Sequence, residues 1–235
     1  MENETIKRLS DVFAVQDVMT SADELKRADT LENAQYLFNE YDVVPHPRRG
    51  EIKGFFRRGS SEINQIDASI LVSHGTSILD LPKLLSRAQF YFVILANRIV
   101  GYIHYSDLNK PATKIPFFAI IQAAERSLWE QIMYRISEED LRRVFEEIEV
   151  NRFAKKKEDN RKRNVDIGWT GIFTFPNILK LARFYGLTHL SDDEIKLLKE
   201  TRNKIVHSDQ NLITQYGDVQ ALVDAQDLCR TLIES

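Results

Sequence analysis

Two spacings of apolar residues divide this chain. Up to about residue 110 they come in short runs bounded by turn residues, the mark of buried strands. These runs are Val18-Met19-Thr20, Val43-Val44-Pro45, Phe55-Phe56, Ile70-Leu71-Val72, Tyr91 to Leu95 and Ile99 to Ile103. A turn at Ala96-Asn97-Arg98 joins the last two as a tight hairpin. Helical spacing interrupts the strands after Asp29-Thr30, through Leu37 and Phe38, and again through Leu81, Leu84 and Leu85. Residues 1–16 form an amphipathic lead on Ile6, Leu9, Val12 and Phe13.

From about residue 114 the period becomes helical throughout. Pro116 opens a helix from Phe117 to Ile136, with Ile121, Leu128 and Ile132 as its apolar column, widened by Phe118, Trp129 and Ile136. Ser137 with Asp140 caps a second, buried by Leu141, Val144, Phe145 and Ile148. Pro176 begins a third through Leu179, Leu181, Ala182 and Phe184, and Gly186 stops it. Ser191 and Glu194 form a capping box for a fourth. After a loop around Gln210 to Gly217, a last helix buries Leu222, Ala225, Leu228, Cys229 and Leu232.

Composition narrows the partners. The 235 residues are 43% hydrophobic and 29% charged, ordinary globular material. A net charge of -3 leaves no global field for nucleic acid, so an RNA partner needs a local basic face, and no DNA partner is expected. That face is Arg152 to Arg163, where Arg152, Lys155, Lys156, Lys157, Arg161, Lys162 and Arg163 outweigh Glu158 and Asp159; it reads equally as a solvated helix end. The aromatic connector Asp166 to Phe175 either tucks into a core or offers rings to bases. The single cysteine excludes a disulfide framework, and the histidines lack metal-ligand spacing, so no metal is expected. No apolar run spans a bilayer and no secretory leader is evident, so a cytoplasmic location is expected.

The first part says nearly the same thing twice. Each copy runs strand, capped helix, strand, then a strand carrying a glycine: Gly54-Phe55-Phe56-Arg57-Arg58-Gly59-Ser60 and Gly101-Tyr102-Ile103-His104-Tyr105-Ser106-Asp107. The tandem resembles a pair of cystathionine-β-synthase (CBS) domains, over residues 15–110. That resemblance implies a disc with clefts for adenosyl ligands, and a signature of Gly, two apolar residues, a hydroxyl, two residues and Asp. Gly101, Ile103 and Asp107 match it, and His104 stands at the hydroxyl position. Asp107 would hold ribose hydroxyls, with Thr76 and Ser77 on ribose or phosphate. The first copy has Ser60 in place of the aspartate, and its Arg57 and Arg58 favour a phosphate chain. Each residue also has a structural reading: Asp107, Thr76 and Ser77 as helix caps, Arg57 and Arg58 as a solvated strand end.

In the fourth helix of the second part, Ile195, Leu198, Ile205 and Val206 share an arc with Arg202, while Asn203 and His207 sit at its edge. A guanidinium on a buried stripe needs a partner. Glu125, inside the apolar face of the first helix, is the expected one. The spacing of Arg202, Asn203 and His207 resembles the R-x4-6-H signature of HEPN domains, helical bundles that include dimeric, metal-independent RNases. The resemblance implies His207 as the acid–base group, Arg202 neutralising phosphate and Asn203 orienting it. Arg202 and His207 stand about 140° apart on a straight helix, so they converge only if the helix ends near His207 or a second subunit completes the site.

The fold expected is thus an α+β tandem CBS module (17–110, repeats 17–60 and 66–110) followed by an all-α antiparallel bundle (114–235). The function expected is an adenine-nucleotide-sensing homodimer, with AMP, ADP or ATP as regulatory ligand and ligand-regulated cleavage of single-stranded RNA. The alternative is a non-enzymatic nucleotide-binding or protein-interaction module whose Arg202–Glu125 pair is structural.

Overall fold

The computed structural model describes residues 8, 12–163, 169, 171–207 and 209–234. Most of the expected lead segment, including Ile6 and Leu9, lies outside them. The chain divides into two compact units: Arg8–Pro116 with Ile213–Gln220, and Phe117–Leu212 with the residues from Ala221 on. The first is mixed α/β and the second helical.

The sheet unit carries β1 (Thr20–Ser21), α1 (Leu31–Leu37), β2 (Val43–His46), β3 (Gly54–Arg57), β4 (Ile63–Gln65), β5 (Leu71–Ser73), α2 (Leu81–Leu85), β6 (Phe90–Leu95) and β7 (Arg98–His104). Strands β2, β3 and β4 form one antiparallel sheet; β1, β7, β6 and β5 form the other, in which only β5–β6 is parallel. The β6–β7 hairpin turns tightly, with Leu95 opposite Arg98. The expected strand over Val18 to Thr20 is displaced: Val15–Asp17 forms a 3-10 turn and β1 keeps only Thr20 and Ser21.

The two signature glycines answer to strand packing. A Cβ on Gly101 would stand 2.6 Å from Met19 Sδ and 2.8 Å from the Thr20 carbonyl oxygen, on the strand paired with β7. One on Gly54 would stand 2.7 Å from Ile63 Cγ2 and 2.8 Å from the Asn64 carbonyl oxygen, on the strand paired with β3. In both copies glycine is needed because a neighbouring backbone comes too close for a side chain. The core between the sheets is aromatic. Phe92 is fully buried, with Phe55 at 5.5 Å, Phe90 at 6.0 Å and Tyr102 at 5.6 Å between ring centroids.

The helical elements are α3 (Pro111–Ile132), α4 (Glu138–Val144), α5 (Glu147–Lys162), α6 (Phe175–Phe184), α7 (Asp192–Val206) and α8 (Asp218–Glu234). Helix α3 starts at Pro111 and carries Pro116 inside, because proline is at home in the first turn and Pro111 takes that place. It stops at Ile132, short of the expected Ile136, and Phe118 is exposed. The expected second helix is two: Phe145 turns extended between α4 and α5, which leaves Ile148 exposed rather than buried.

Both capping boxes read from sequence form. Asp140 N–H donates to Ser137 Oγ at 3.1 Å, and Ser191 N–H donates to Glu194 Oε2 at 2.7 Å. Phe173, from the aromatic connector, is buried against Phe145, Phe153, Trp129 and Trp169. The connector's residues 166–168 and 170 lie outside those described.

Residues 213–220 depart from the expected bundle and belong to the sheet unit. Asn109 bonds both backbone groups of Ile213 at 2.8 Å, and Tyr216 O–H donates to the Ser86 carbonyl at 2.9 Å.

Candidate functional site

The end of β7 carries the chemistry of the sheet unit. Beyond His104 the chain enters a 3-10 turn, Tyr105–Asn109, which Asp107 holds: its Oδ2 accepts the His104 N–H at 2.7 Å. Its Oδ1 lies 2.8 Å from Lys110 Nζ, which also donates to the Val18 carbonyl at 2.5 Å. Asp107 is a capping residue here, and it also lines a cavity of about 310 Å³. A carboxylate has about four acceptor sites, so two remain beyond the cap and the ion pair.

Three stretches build that cavity. Thr20 lies in β1, and Glu24, Leu25 and Lys26 follow it. Glu40, Tyr41, Asp42, Val43 and Pro45 lead into and along β2. Tyr102, His104, Ser106 and Asp107 close the second copy. The wall therefore draws on both repeats. Burial raises the Tyr102 hydroxyl pKa, and the Asp107 and Asp42 carboxylates raise it further, so it remains a neutral donor. Burial lowers the His104 pKa, against the pull of the same two carboxylates. Ser106 N–H donates to His104 Nδ1 at 3.3 Å, which leaves Nε2 as the donor of the neutral ring.

Of the other expected ligand contacts, none lines this cavity. Ile103 is fully buried and Gly101 is pressed by β1. Ser77 accepts Leu79 N–H at 3.3 Å as the cap of a short turn, and Thr76 is engaged through its backbone with Val15 and Ser73. Arg57 ends β3 exposed. Arg58 donates to the Phe38 carbonyl and pairs with Asp42 at 3.2 Å. Sequence reading missed Glu24, Glu40, Asp42 and Tyr102; the first three sit in polar loops, where nothing local sets them apart from solvated charge.

In the helical unit, α7 ends at Val206, and His207 caps it with extended backbone while its N–H donates to the Asn203 carbonyl at 3.0 Å. His207 is exposed, Arg202 and Asn203 half-buried. Arg202 Nε is buried without a hydrogen-bond partner. Among the described residues no ion pair joins it to Glu125, although the Arg202 charge acts on that carboxylate. Glu125 instead accepts from Gln122 at 3.0 Å and shares a cavity of about 210 Å³ with Trp129, Phe173 and Ile178. Burial raises the Glu125 pKa; the Arg202 charge and the Gln122 bond oppose it. The basic segment lies on α5, with Lys162 paired to Glu158 at 2.7 Å and Lys157 4.0 Å from the Trp169 ring centroid. No described helix is long and apolar enough to cross a membrane.

No family model matches this chain, and no curated protein does. A solved structure of the CBS domain of a bacterial CNNM/CorC family Mg2+ transporter, in complex with an inhibitor, aligns with 46% of this chain and 80% of its own. The identity is 19% and the TM-score 0.36, which fixes neither the fold nor a ligand for this chain.

Proposed function

We propose that the sheet unit is a CBS-like sensor of an adenosine-type ligand, and that the chain is a regulatory protein. The observation that supports this most is that Asp107, at the acidic position of the glycine-led strand, lines a cavity of ligand size together with Tyr102 and the loops of the first repeat. Its remaining acceptor sites suit a pair of ribose hydroxyls, as acidic residues do in other nucleotide folds. Isothermal titration of the chain with adenine and guanine nucleosides and nucleotides tests it. Binding by the adenine set, weakened about tenfold or more in Asp107→Asn, is expected, since a charge-assisted bond is worth 1.5–3 kcal/mol at about 1.4 kcal/mol per decade. No heat with any member of the panel sinks the reading.

A second reading concerns the helical unit: a HEPN-like, dimeric, metal-independent endoribonuclease with Arg202, Asn203 and His207 at its centre. What supports it is the end of α7 at Val206, which takes His207 off the helical path that would hold it away from Arg202. Glu125 would tune Arg202 through its field. Cleavage of labelled single-stranded RNA in EDTA, with and without the sensor's ligand, should be lost in Arg202→Ala and in His207→Ala. Equal cleavage by all three proteins would remove the assignment and leave the non-enzymatic regulatory reading.

A further inference from the structure

We infer that the cavity selects an adenosine-type ligand whose primary-hydroxyl end is neutral or positively charged, and discriminates against a phosphate chain. This rests on the sensor reading above and narrows it.

The inference comes from the charges around the cavity. Glu24, Glu40, Asp42 and Asp107 line it, against Lys26. The two cations that touch these carboxylates are committed. Arg58 is held by Asp42 and by the Phe38 and Tyr41 carbonyls. Lys110 is held by Asp107 and the Val18 carbonyl. A phosphate offers only acceptors and brings negative charge, so it would have to draw one of these cations away or face Glu24 and Glu40 with Lys26 alone to offset them. Apart from Lys26, the donors that remain in the lining are uncharged: the Tyr102 hydroxyl, kept protonated by burial and the two aspartates, and the neutral His104 ring. Those donors suit hydroxyls and ring nitrogens. The carboxylates at the loops suit a cation. Sequence reading had assigned Arg57 and Arg58 to a phosphate chain; neither lines the cavity, and Arg58 instead neutralises one of its walls.

The test is isothermal titration of the full chain with four probes: adenosine, an adenosine analogue bearing an amine in place of the primary hydroxyl, AMP and ATP. Each is measured on the parent and on Glu24→Gln/Glu40→Gln. Both glutamates are exposed, so the double substitution puts little of the fold at risk. The amine analogue should bind tightest and adenosine next. AMP should be about tenfold weaker and ATP weaker still, with the gap shrinking as salt rises. The double variant should narrow the ratio between adenosine and ATP by about tenfold. AMP or ATP binding as tightly as adenosine overturns the inference while leaving the sensor reading intact. A ratio unmoved in the double variant overturns its assignment to these carboxylates. Binding by none of the four overturns both.

Discussion

The two repeats of the sheet unit share a backbone device and differ in chemistry. In each, a glycine sits in a core strand because the paired strand's carbonyl lies 2.8 Å from where its Cβ would be. Three residues on, the first copy has exposed Arg57 and the second half-buried His104. Where the second has Asp107 on the cavity, the first has Ser60, whose hydroxyl donates to the Glu62 carbonyl at 3.3 Å. The first repeat instead contributes two segments, Thr20 to Lys26 and Glu40 to Pro45, to the wall that the second completes. The two copies share the packing requirement, which is backbone against backbone, and differ at the strand ends.

The largest effects should come from the aromatic layer. Phe92→Ala removes a ring in contact with Phe55, Phe90 and Tyr102 and is expected to cost about 3–5 kcal/mol in chemical denaturation. Phe56→Ala, on the first repeat's own cluster with Ala28, Ala34 and Val44, should fall at the lower end of that range. A larger loss for Phe56 would shift the centre of the unit to the first copy.

Next come the glycines. Gly54→Ala and Gly101→Ala should each cost about 1–3 kcal/mol, because the obstructing atom in both is a backbone oxygen that cannot move aside cheaply. Similar losses in thermal or urea unfolding would sustain the shared device. Ligand affinity lost in Gly101→Ala with stability unchanged would make that glycine a binding residue and break the parallel.

A smaller difference is expected in acid. The folded-state pKa of His104 is depressed below its ordinary value of 6.5, chiefly by burial. Between that value and the folded pKa the unfolded chain binds the extra proton, so stability is complete above about 6.5 and falls as pH drops through the folded pKa. Urea titrations across this window should show the loss in the parent and a flatter profile in His104→Gln. Arg57→Gln, at the exposed counterpart position in the first copy, is the control and should leave the slope alone.

The smallest effect is expected from Ser60→Asp, which restores the aspartate of the second copy in the first. Stability should change by less than about 0.5 kcal/mol, and titration calorimetry should show no second binding event, because Arg57 is exposed and Arg58 is engaged by Asp42. A second event would mean that the missing carboxylate alone silences the first half-site.

Local patterns carried much of this protein. The repeat order, the β6–β7 hairpin and the capping boxes at Ser137 and Ser191 depend on residues a few positions apart, and the sequence states them directly. Arg202 could likewise be read onto the inward side of its helix from periodicity alone. Asp107, which lines the cavity, could be singled out because it stands at a fixed distance from Gly101. The partner of Arg202 was not: one helix gives a direction, whereas the distance to Glu125 depends on how helices pack.

The break between α4 and α5 was missed because Ile148 keeps helical spacing with Leu141 and Val144, and periodicity does not register two extended residues at Phe145 and Glu146. Residues 213–220 were assigned to the bundle because they lie between two helical patterns. Only tertiary structure turns Tyr216 toward the Ser86 carbonyl and Ile213 toward Asn109. The acidic character of the cavity belongs to the same class. Glu24, Glu40 and Asp42 are ordinary loop carboxylates in the sequence. They line one cavity only because chain closure brings two segments of the first repeat to the strand end of the second, and electrostatic interaction depends on distance in space, to which separation along the chain is no guide.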